Sequence, residues 1–252
     1  AAEYTDSVPV YILKNGTEEL ATVALSGSEL DWSVSDVEML LQGGGEASLE
    51  VPEGCTVYCN GKALDQSYAH DDVSYFELEQ YTDKLRNPIL WTTYTVSGQL
   101  FEPTLTAEAP ADRSLHTAED GSCSFILSAA DAKEYQEKAE EFVKTLLFYY
   151  MQGANNTQGN MWSALNCVAK NSQAYQLIYD SYNGVTWDTP YPNATFEAKA
   201  GDVTIWADNC VSLEVSYHSE GSAQGYTNVA DGTYRIYFLD LGEGFGIYGL
   251  SY

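Results

Sequence analysis

The hydrophobic and polar positions of the first half of the chain predict strands. Two β-rich runs flank Asn15-Gly16, a dipeptide that tolerates the positive φ values of a type I′ turn, so they predict a β-hairpin. A second hairpin is predicted at Asn60-Gly61. The segment 31–40 alternates only in part before the glycines at 43–45 break the pattern. We therefore predict a β-rich region over residues 1–127, in which 1–45 form either a separate hairpin segment or strands joined to the rest.

One stretch of this half has helical spacing. Residues 72–85 place Tyr75, Leu78 and Leu85 on one side of a helix, and Pro88 follows soon after. This spacing predicts a short helix. The polar segment that follows, 109–124, is predicted to be a loop with a tight turn at Asp120-Gly121.

The pattern changes from strand to helix at Ser128. Ser128 and Asp131 have the spacing of a capping box, which marks a helix start. The apolar positions that follow share one helical face, and they are Tyr135, Ala139, Phe142, Val143, Leu146, Leu147 and Tyr150. This helix is predicted to end near Gly153. One or two further helices are predicted up to Asn183-Gly184.

Long strands are predicted for the remainder of the chain. Apolar Val211, Leu213, Val215 and Tyr217 alternate with polar Ser212, Glu214, Ser216 and His218. A turn is predicted at 200–202, and a final hairpin at 242–244. Helices followed by a meander of strands indicate an α+β domain over residues 128–252, with the helices packed on one face of a curved antiparallel sheet.

The net charge of the chain limits the classes of molecule that we expect it to bind. The formal net charge is −26, from 37 acidic and 11 basic residues. A surface this acidic repels phosphate backbones and anionic lipid headgroups, so we expect neither nucleic acid binding nor direct binding to a membrane surface. Binding of basic partners or of divalent cations is compatible with this charge. The 20 tyrosines and few basic residues favour an exposed, extracellular or cell-surface protein, and we expect an N-terminal anchoring segment outside this sequence.

The cysteines do not form a recognisable site. In a strand, Cys55 and Cys59 would lie about 13 Å apart, which is too far for a disulfide or a shared metal ion. The interpretation that fits is two strand cysteines, of which one could pair elsewhere. The other candidates are Cys123, Cys167 and Cys210, and the sequence does not assign the pairing.

The order of elements carries a family resemblance. The helix at 137–150, the strand at 209–220 and the closing hairpin at 233–252 together resemble the nuclear-transport-factor-two-like fold, a cone whose sheet wraps a long helix. The phrase P-x-G-x-x-V-x-x-N-G-K from Pro52 to Lys62 is similar to small β modules that precede such domains in membrane-anchored surface proteins of Gram-positive bacteria, and the overall plan resembles TcaA-like proteins. The resemblance implies a cone that serves either as an enzyme pocket or as a binding module.

Candidate catalytic residues do not assemble into a group. Glu214 and His218 share one strand face but lie about 13 Å apart, and His116, Asp202 and Asp208 are assigned to loops and turns. His70-Asp71-Asp72 lacks the six to eight oxygen ligands of a calcium site, so it is interpreted as a solvated turn. We therefore predict no catalytic residues, no metal site and no cofactor.

Aromatic residues supply the candidate binding site. Trp162, Tyr179, Trp206 and Tyr217 are the predicted ligand-binding residues, because aromatic faces near polar groups suit sugars, peptides or apolar small molecules. The competing interpretation is that they fill the core. The leading hypothesis is a non-enzymatic, envelope-tethered module that binds a small ligand or an envelope protein or glycan. A cyclase or isomerase acting in the cone and a structural spacer are the alternatives.

Overall fold

Strands dominate the protein, with 52% of residues in strands and 23% in helices, as expected for an α+β protein with a β-rich N-terminal half. The computed structural model describes residues 3–5, 8–28, 31–40, 44–73, 76–99, 101–184, 191, 193–223 and 225–252. Two compact units are present. The first comprises Ala1–Leu49, Val57–His70 and Thr93–Thr106, and the second comprises Glu50–Thr56, Asp71–Thr92 and Ala107–Tyr252.

The first unit contains a four-stranded antiparallel meander. Its strands are β1 (Glu3–Thr5), β2 (Val8–Asn15), β3 (Glu18–Ser28) and β4 (Asp31–Met39), paired in chain order. The predicted hairpin between β2 and β3 is confirmed. Asn15 itself pairs with Glu18, so the two-residue loop is Gly16-Thr17, with Gly16 at φ 63°.

A β-bulge explains the imperfect alternation of β4. Ala24 is opposite Asp36 while Leu25 is opposite Val34, so Ser35 is an extra residue in β4. The extra residue shifts the alternation by one. Four apolar side chains of β4 consequently share one face of the sheet, and all four are exposed: Trp32, Val34, Val37 and Met39.

Six strands follow: β5 (Gly45–Pro52), β6 (Thr56–Cys59), β7 (Lys62–Ala63), β8 (Ala69–Val73), β9 (Trp91–Gln99) and β10 (Leu105–Glu108). They form two three-stranded sheets, ordered β5-β9-β8 and β10-β6-β7. The predicted turn between β6 and β7 is confirmed. Asn60 and Gly61 have φ values of 49° and 81°, and a type I′ turn requires both to be positive.

The helix predicted over residues 72–85 is wrong. β8 continues to Val73, and the helical element that the structure describes within this range is a 3₁₀ helix at Glu79–Lys84. Tyr75 lies outside the described residues. Phe76, Leu78 and Tyr81 are nevertheless buried, because they pack on one face of a sheet rather than along a helix. A short apolar run that meets a sheet needs no helical period to bury its side chains.

The second unit is built on a six-stranded antiparallel sheet and two helices. Its elements are β11 (Ser114–Thr117), β12 (Cys123–Ile126), α1 (Ala129–Leu165), α2 (Gln173–Gly184), β13 (Thr195–Ala207), β14 (Cys210–Ala223), β15 (Tyr226–Asp240) and β16 (Phe245–Ser251). The strands pair in chain order. Residue 128 lies between β12 and α1, and β12 pairs with β13 in this sheet.

The start of α1 agrees with the prediction from the sequence, and its end does not. The Asp131 amide donates to Ser128 Oγ at 3.3 Å, and the Ser128 hydroxyl donates to Asp131 Oδ2 at 2.7 Å, so the cap is confirmed. Gly153 does not end the helix, which continues to Leu165. A glycine within a helix costs only about 1 kcal/mol, and burial of Met161, Ala164 and Leu165 offsets that cost.

The main core lies between the helices and one face of the sheet, which we call the helix face. The α1 residues Ala139, Phe142, Val143 and Leu146 are fully buried there. From β14, Val211, Leu213 and Val215 are buried against them, as the alternation predicted. The opposite side, the second face, carries the 76–85 segment over Tyr237 and Leu239. No helix of the described residues is both long and apolar enough to span a bilayer.

Candidate functional site

A pocket of about 560 Å³ opens on the second face, within the second unit. Two tryptophans form its aromatic wall, Trp91 and Trp206. Its polar side chains comprise four hydroxyl residues, three carboxylates, a histidine and an arginine: Ser122, Ser124, Thr204, Ser212, Glu50, Asp202, Glu214, His116 and Arg235. An aromatic wall with convergent polar groups is the usual composition of a small-molecule site.

A bulge in β13 brings Asp202 to the pocket. Ala200 is opposite Val215 and Val203 is opposite Leu213, so Gly201 and Asp202 are both accommodated opposite Glu214. The turn predicted at 200–202 is therefore wrong, and the strand continues through it. Ala200 and Val203 both pack on the helix-face core, whereas Gly201 and Asp202 line the pocket. Bulges commonly redirect a side chain in this way beside functional sites.

The aromatic wall is fixed by its own contacts. The rings of Trp91 and Trp206 lie 5.3 Å apart at 47°, and Phe76 packs on Trp206 at 6.1 Å. The Trp91 indole donates to the Cys123 carbonyl at 2.9 Å, and the Trp206 indole donates to Ser212 Oγ at 2.8 Å. Both indole N–H groups are thus satisfied within the protein, and the wall is preorganised for a ligand.

Arg235 is held between two carboxylates. Its guanidinium donates to Glu77 Oε1 at 2.6 Å and to Glu214 Oε1 at 2.7 Å. The Tyr237 hydroxyl donates to Glu77 Oε2 at 2.5 Å. Burial, followed by the hydrogen bond and charge of Glu77, raises the pKa of Tyr237 above its usual value, so Tyr237 stays a proton donor. The positive charge of Arg235 is therefore neutralised by residues of the protein.

His116 and Asp202 form a pair that the sequence did not predict. Their Nδ1 and Oδ2 atoms lie 3.2 Å apart at the pocket. The sequence interpretation placed both in loops, whereas the structure places His116 in β11 and Asp202 in β13. The missed signal was the alternation in 114–117 and 123–126 around the Asp120-Gly121 turn. That turn is present, with Gly121 at φ 85° and the Ser122 amide bonded to Asp120.

The four predicted ligand-binding residues do not come together. Trp206 lines the pocket. Tyr217 contacts the helix-face core and stacks on Tyr234 at 5.0 Å. Trp162, on α1, is 43% exposed, and Tyr179, on α2, is 41% exposed and stacks on Tyr175. The sequence therefore identified one residue of the pocket and missed Trp91.

Asp208 and His70, two other ionisable residues considered from the sequence, lie on the surface. Asp208 is exposed and accepts a hydrogen bond from Asn87 Nδ2 at 2.7 Å. His70 lies in β8, and the side chains of Asp71 and Asp72 are outside the described residues. Within the ranges given above, no group of three or more His, Cys, Asp or Glu side chains is arranged to hold a metal ion.

All five cysteines are free thiols in this structure. Burial, together with the nearby Cys123, raises the pKa of Cys55 to about 11, and burial raises the pKa of Cys210 to about 12. Thiols with such pKa values are protonated at neutral pH and are poor nucleophiles. Cys55 and Cys210 therefore lack the lowered pKa of a reactive thiol. The structure contains no disulfide among its five cysteines, so neither Cys55 nor Cys59 pairs elsewhere in it.

His218 provides a pH-dependent contact on β14. It lies opposite Asp231 on β15, and its Nδ1 is 2.7 Å from Asp231 Oδ1. The hydrogen bond to Asp231 raises the pKa of His218 above 6.5, and the charges of Asp231, Glu197 and Glu220 add to this effect. The pair stabilises the hairpin below the unfolded-state pKa, and this contribution is lost as the pH rises through the raised pKa.

We expect an NMR titration of the His218 ring to have its midpoint above 6.5, and Asp231→Asn to lower that midpoint. Asp208→Asn, which alters an exposed carboxylate elsewhere, should leave it unchanged. A wild-type midpoint at or below 6.5 would show that the pair does not form in solution.

Comparisons with known proteins identify no family. No family model and no curated protein matches the chain. Among solved structures, it is similar to the helical cell shape determining protein Pgp2 from Campylobacter jejuni, with 10% identity and a TM-score of 0.26 over 98% of this chain and 93% of that one. A likeness this weak does not define the fold of the chain.

Proposed function

We propose that the chain is a non-catalytic binding module whose small ligand occupies the pocket on the second face, against the wall formed by Trp91 and Trp206. The observation that carries the proposal is the preorganised aromatic wall, which faces four hydroxyl residues and several charged ones in one concavity. Aromatic faces bind the apolar faces of sugars and other saturated rings, while hydroxyl and carboxylate groups bind their polar edges.

We also propose that the module works at the cell envelope and that its second unit is related to the nuclear-transport-factor-two-like fold. The acidic, tyrosine-rich composition supports work outside the cytoplasm, at the cell envelope, where glycans and envelope proteins are the available partners. The packing of α1 and α2 on one face of an antiparallel sheet supports a relationship to the nuclear-transport-factor-two-like cone. The ligand site we propose lies on the second face rather than between helix and sheet, because the space there is filled by Phe142, Leu146 and Tyr149.

The test is thermal unfolding against a panel of cell-wall fragments, sugars, peptides and small metabolites. A ligand at about 100 times its Kd should stabilise the folded state by about 2.7 kcal/mol. Ser124 lies in β12 and lines the pocket, so Ser124→Phe should fill it and abolish the ligand-induced shift. Trp162→Ala and Tyr179→Ala, at exposed positions on the helices, should retain the shift.

Two results would count against the proposal. Either no member of the panel stabilises the wild-type chain, or the shift survives Ser124→Phe and disappears in the helix variants. The second result would place the site on the exposed aromatic residues predicted from the sequence.

A second candidate function is proton-transfer catalysis in the same pocket. The His116–Asp202 contact favours it, because a carboxylate that orients an imidazole prepares it as a general base. Under this candidate His116 would accept the proton, and Asp202 would position the ring. Turnover of a bound ligand that is lost in His116→Gln would support catalysis, and binding without any product would contradict it.

A further inference from the structure

The charged side chains around the pocket are unequal in number. Three carboxylates line it, Glu50, Asp202 and Glu214, against the single guanidinium of Arg235. Arg235 is bonded to Glu214 and also to Glu77, at 2.7 and 2.6 Å. An anionic ligand would therefore have to displace a carboxylate from Arg235 while facing the remaining ones.

Asp202 is the carboxylate most available to a ligand. Its side chain is 58% exposed, and its Oδ2 lies 3.2 Å from Nδ1 of His116. An ionised carboxylate has about four lone-pair sites on two oxygens, so a contact with one imidazole leaves acceptor capacity for a second donor. The bulge at Gly201-Asp202 places this carboxylate opposite Glu214 of the neighbouring strand, and both side chains line the same pocket.

The other residues of the pocket indicate which kind of cation it favours. A metal ion needs several ligands converging on one point, and no such group of side chains exists in the described part of the chain. An organic ammonium needs fewer polar contacts, and its carbon skeleton packs on aromatic rings. Trp is the best side chain for cation–π attraction, and Trp206 lines the pocket with its ring partly exposed.

We propose that the pocket selects a cationic ligand, namely an ammonium group carried on a compact saturated ring or short carbon chain. This inference rests on the proposed function and specifies the ligand class of that site. The ammonium lies between Asp202 and Glu214, and the carbon skeleton packs against Trp206. The net charge of −26 adds a long-range attraction for such a ligand.

The test compares two probes of the same shape that differ in charge, cyclohexylammonium and cyclohexanol. We expect cyclohexylammonium to bind at least about tenfold more tightly in NMR titrations that follow the indole signals of Trp91 and Trp206, which corresponds to about 1.4 kcal/mol. Because the preference is electrostatic, it should shrink when salt is raised.

Two variants assign the preference to the pocket. Asp202→Asn should reduce the ratio of the two affinities several-fold, because the amide keeps the size of the side chain and loses its charge. Asp208→Asn removes an exposed carboxylate that does not line the pocket, so the ratio should stay the same. Glu214→Gln is a second variant, expected to lower the ratio because Arg235 then keeps only Glu77 as a charged partner.

The outcomes separate this inference from the proposed function. Equal binding of both probes at the indoles would overturn the preference for a cation while the pocket remained a ligand site. A preference that survives both Asp202→Asn and Glu214→Gln would also overturn it. Absence of any indole shift with cyclohexylammonium would overturn it as well. The thermal-unfolding measurements with the ligand panel and Ser124→Phe would still test the pocket independently.

Discussion

Replacing Phe142 with alanine should lower the free energy of unfolding by about 3–5 kcal/mol. Phe142 is fully buried in α1, within the core between the helices and the helix face of the sheet. Truncation removes the transfer free energy of the ring and leaves a cavity that the neighbouring Leu146 and Val143 cannot fill. Domains are typically stable by only 5–15 kcal/mol, so this one change removes a large part of the margin.

Urea denaturation followed by far-ultraviolet circular dichroism measures this loss. Lys144→Ala is the matched control, because Lys144 lies on the same helix and is exposed. It should change the free energy of unfolding by less than about 0.5 kcal/mol. A cost below about 1 kcal/mol for Phe142→Ala would contradict the packing of α1 on the sheet.

The second large effect is expected at Asn209, which is 1% exposed in the turn between β13 and β14. Its Oδ1 accepts from the Arg86 amide at 2.7 Å, and its Nδ2 donates to the carbonyls of Lys84 and Asp240 at 3.1 and 3.0 Å. Asn209→Ala leaves these backbone groups without their partner. Buried unsatisfied groups cost 1–3 kcal/mol each, so we expect a loss of about 3 kcal/mol.

The same substitution should disturb the pocket. The segment held by Asn209 runs from Lys84 towards Trp91, and it is bonded further by the amide of Ile89 to the carbonyl of Trp206 at 2.8 Å. Hydrogen exchange at the Arg86 amide should accelerate in Asn209→Ala. Asn228→Ala, at an exposed position of β15, is the control and should change neither stability nor exchange. Unchanged exchange at Arg86 in Asn209→Ala would contradict the role of this side chain.

Local sequence chemistry predicted the elements whose signals lie within a few residues. Asn60-Gly61 predicted a type I′ turn because the dipeptide tolerates two positive φ values, and Ser128 predicted the start of α1 because its hydroxyl caps the Asp131 amide. The alternation of Val211, Leu213 and Val215 predicted the helix face of β14. In each case the structural cause and the sequence signal are the same few atoms.

Features determined by distant contacts were not predicted. The helix over 72–85 was predicted from the spacing of Tyr75, Leu78 and Leu85, yet Leu78 is buried by contacts with Ala207, Cys210, Tyr237 and Leu239 of the six-stranded sheet. Gly153 indicated a helix end, but burial of the next turns of α1 outweighs its local cost. The bulge at Gly201-Asp202 has the composition of a turn, and only its partner strand distinguishes the two.

The candidate site was mostly unpredictable for the same reason. Its residues come from the β5, β9, β11, β12, β13, β14 and β15 segments of the chain. Trp91 and Trp206 are far apart in sequence and lie in different sheets. Their rings are 5.3 Å apart because the Ile89 amide donates to the Trp206 carbonyl and the Trp91 indole donates to the Cys123 carbonyl. His116 is on β11 and Asp202 is on β13, and β12 lies between these two strands. Their side chains approach each other across β12. Trp206 was identified because it is aromatic, whereas Trp162, Tyr179 and Tyr217 met the same criterion and lie elsewhere.

The measurement that most directly tests the pocket as the ligand site is chemical-shift mapping of the intact chain with a ligand that stabilises it. The largest shifts should occur at the indole N–H groups of Trp91 and Trp206 and at the amides of Ser124 and Thr204. Trp162 on α1 should not respond. Shifts centred on Trp162 and Tyr179, with the two pocket indoles unchanged, would contradict this location of the ligand site.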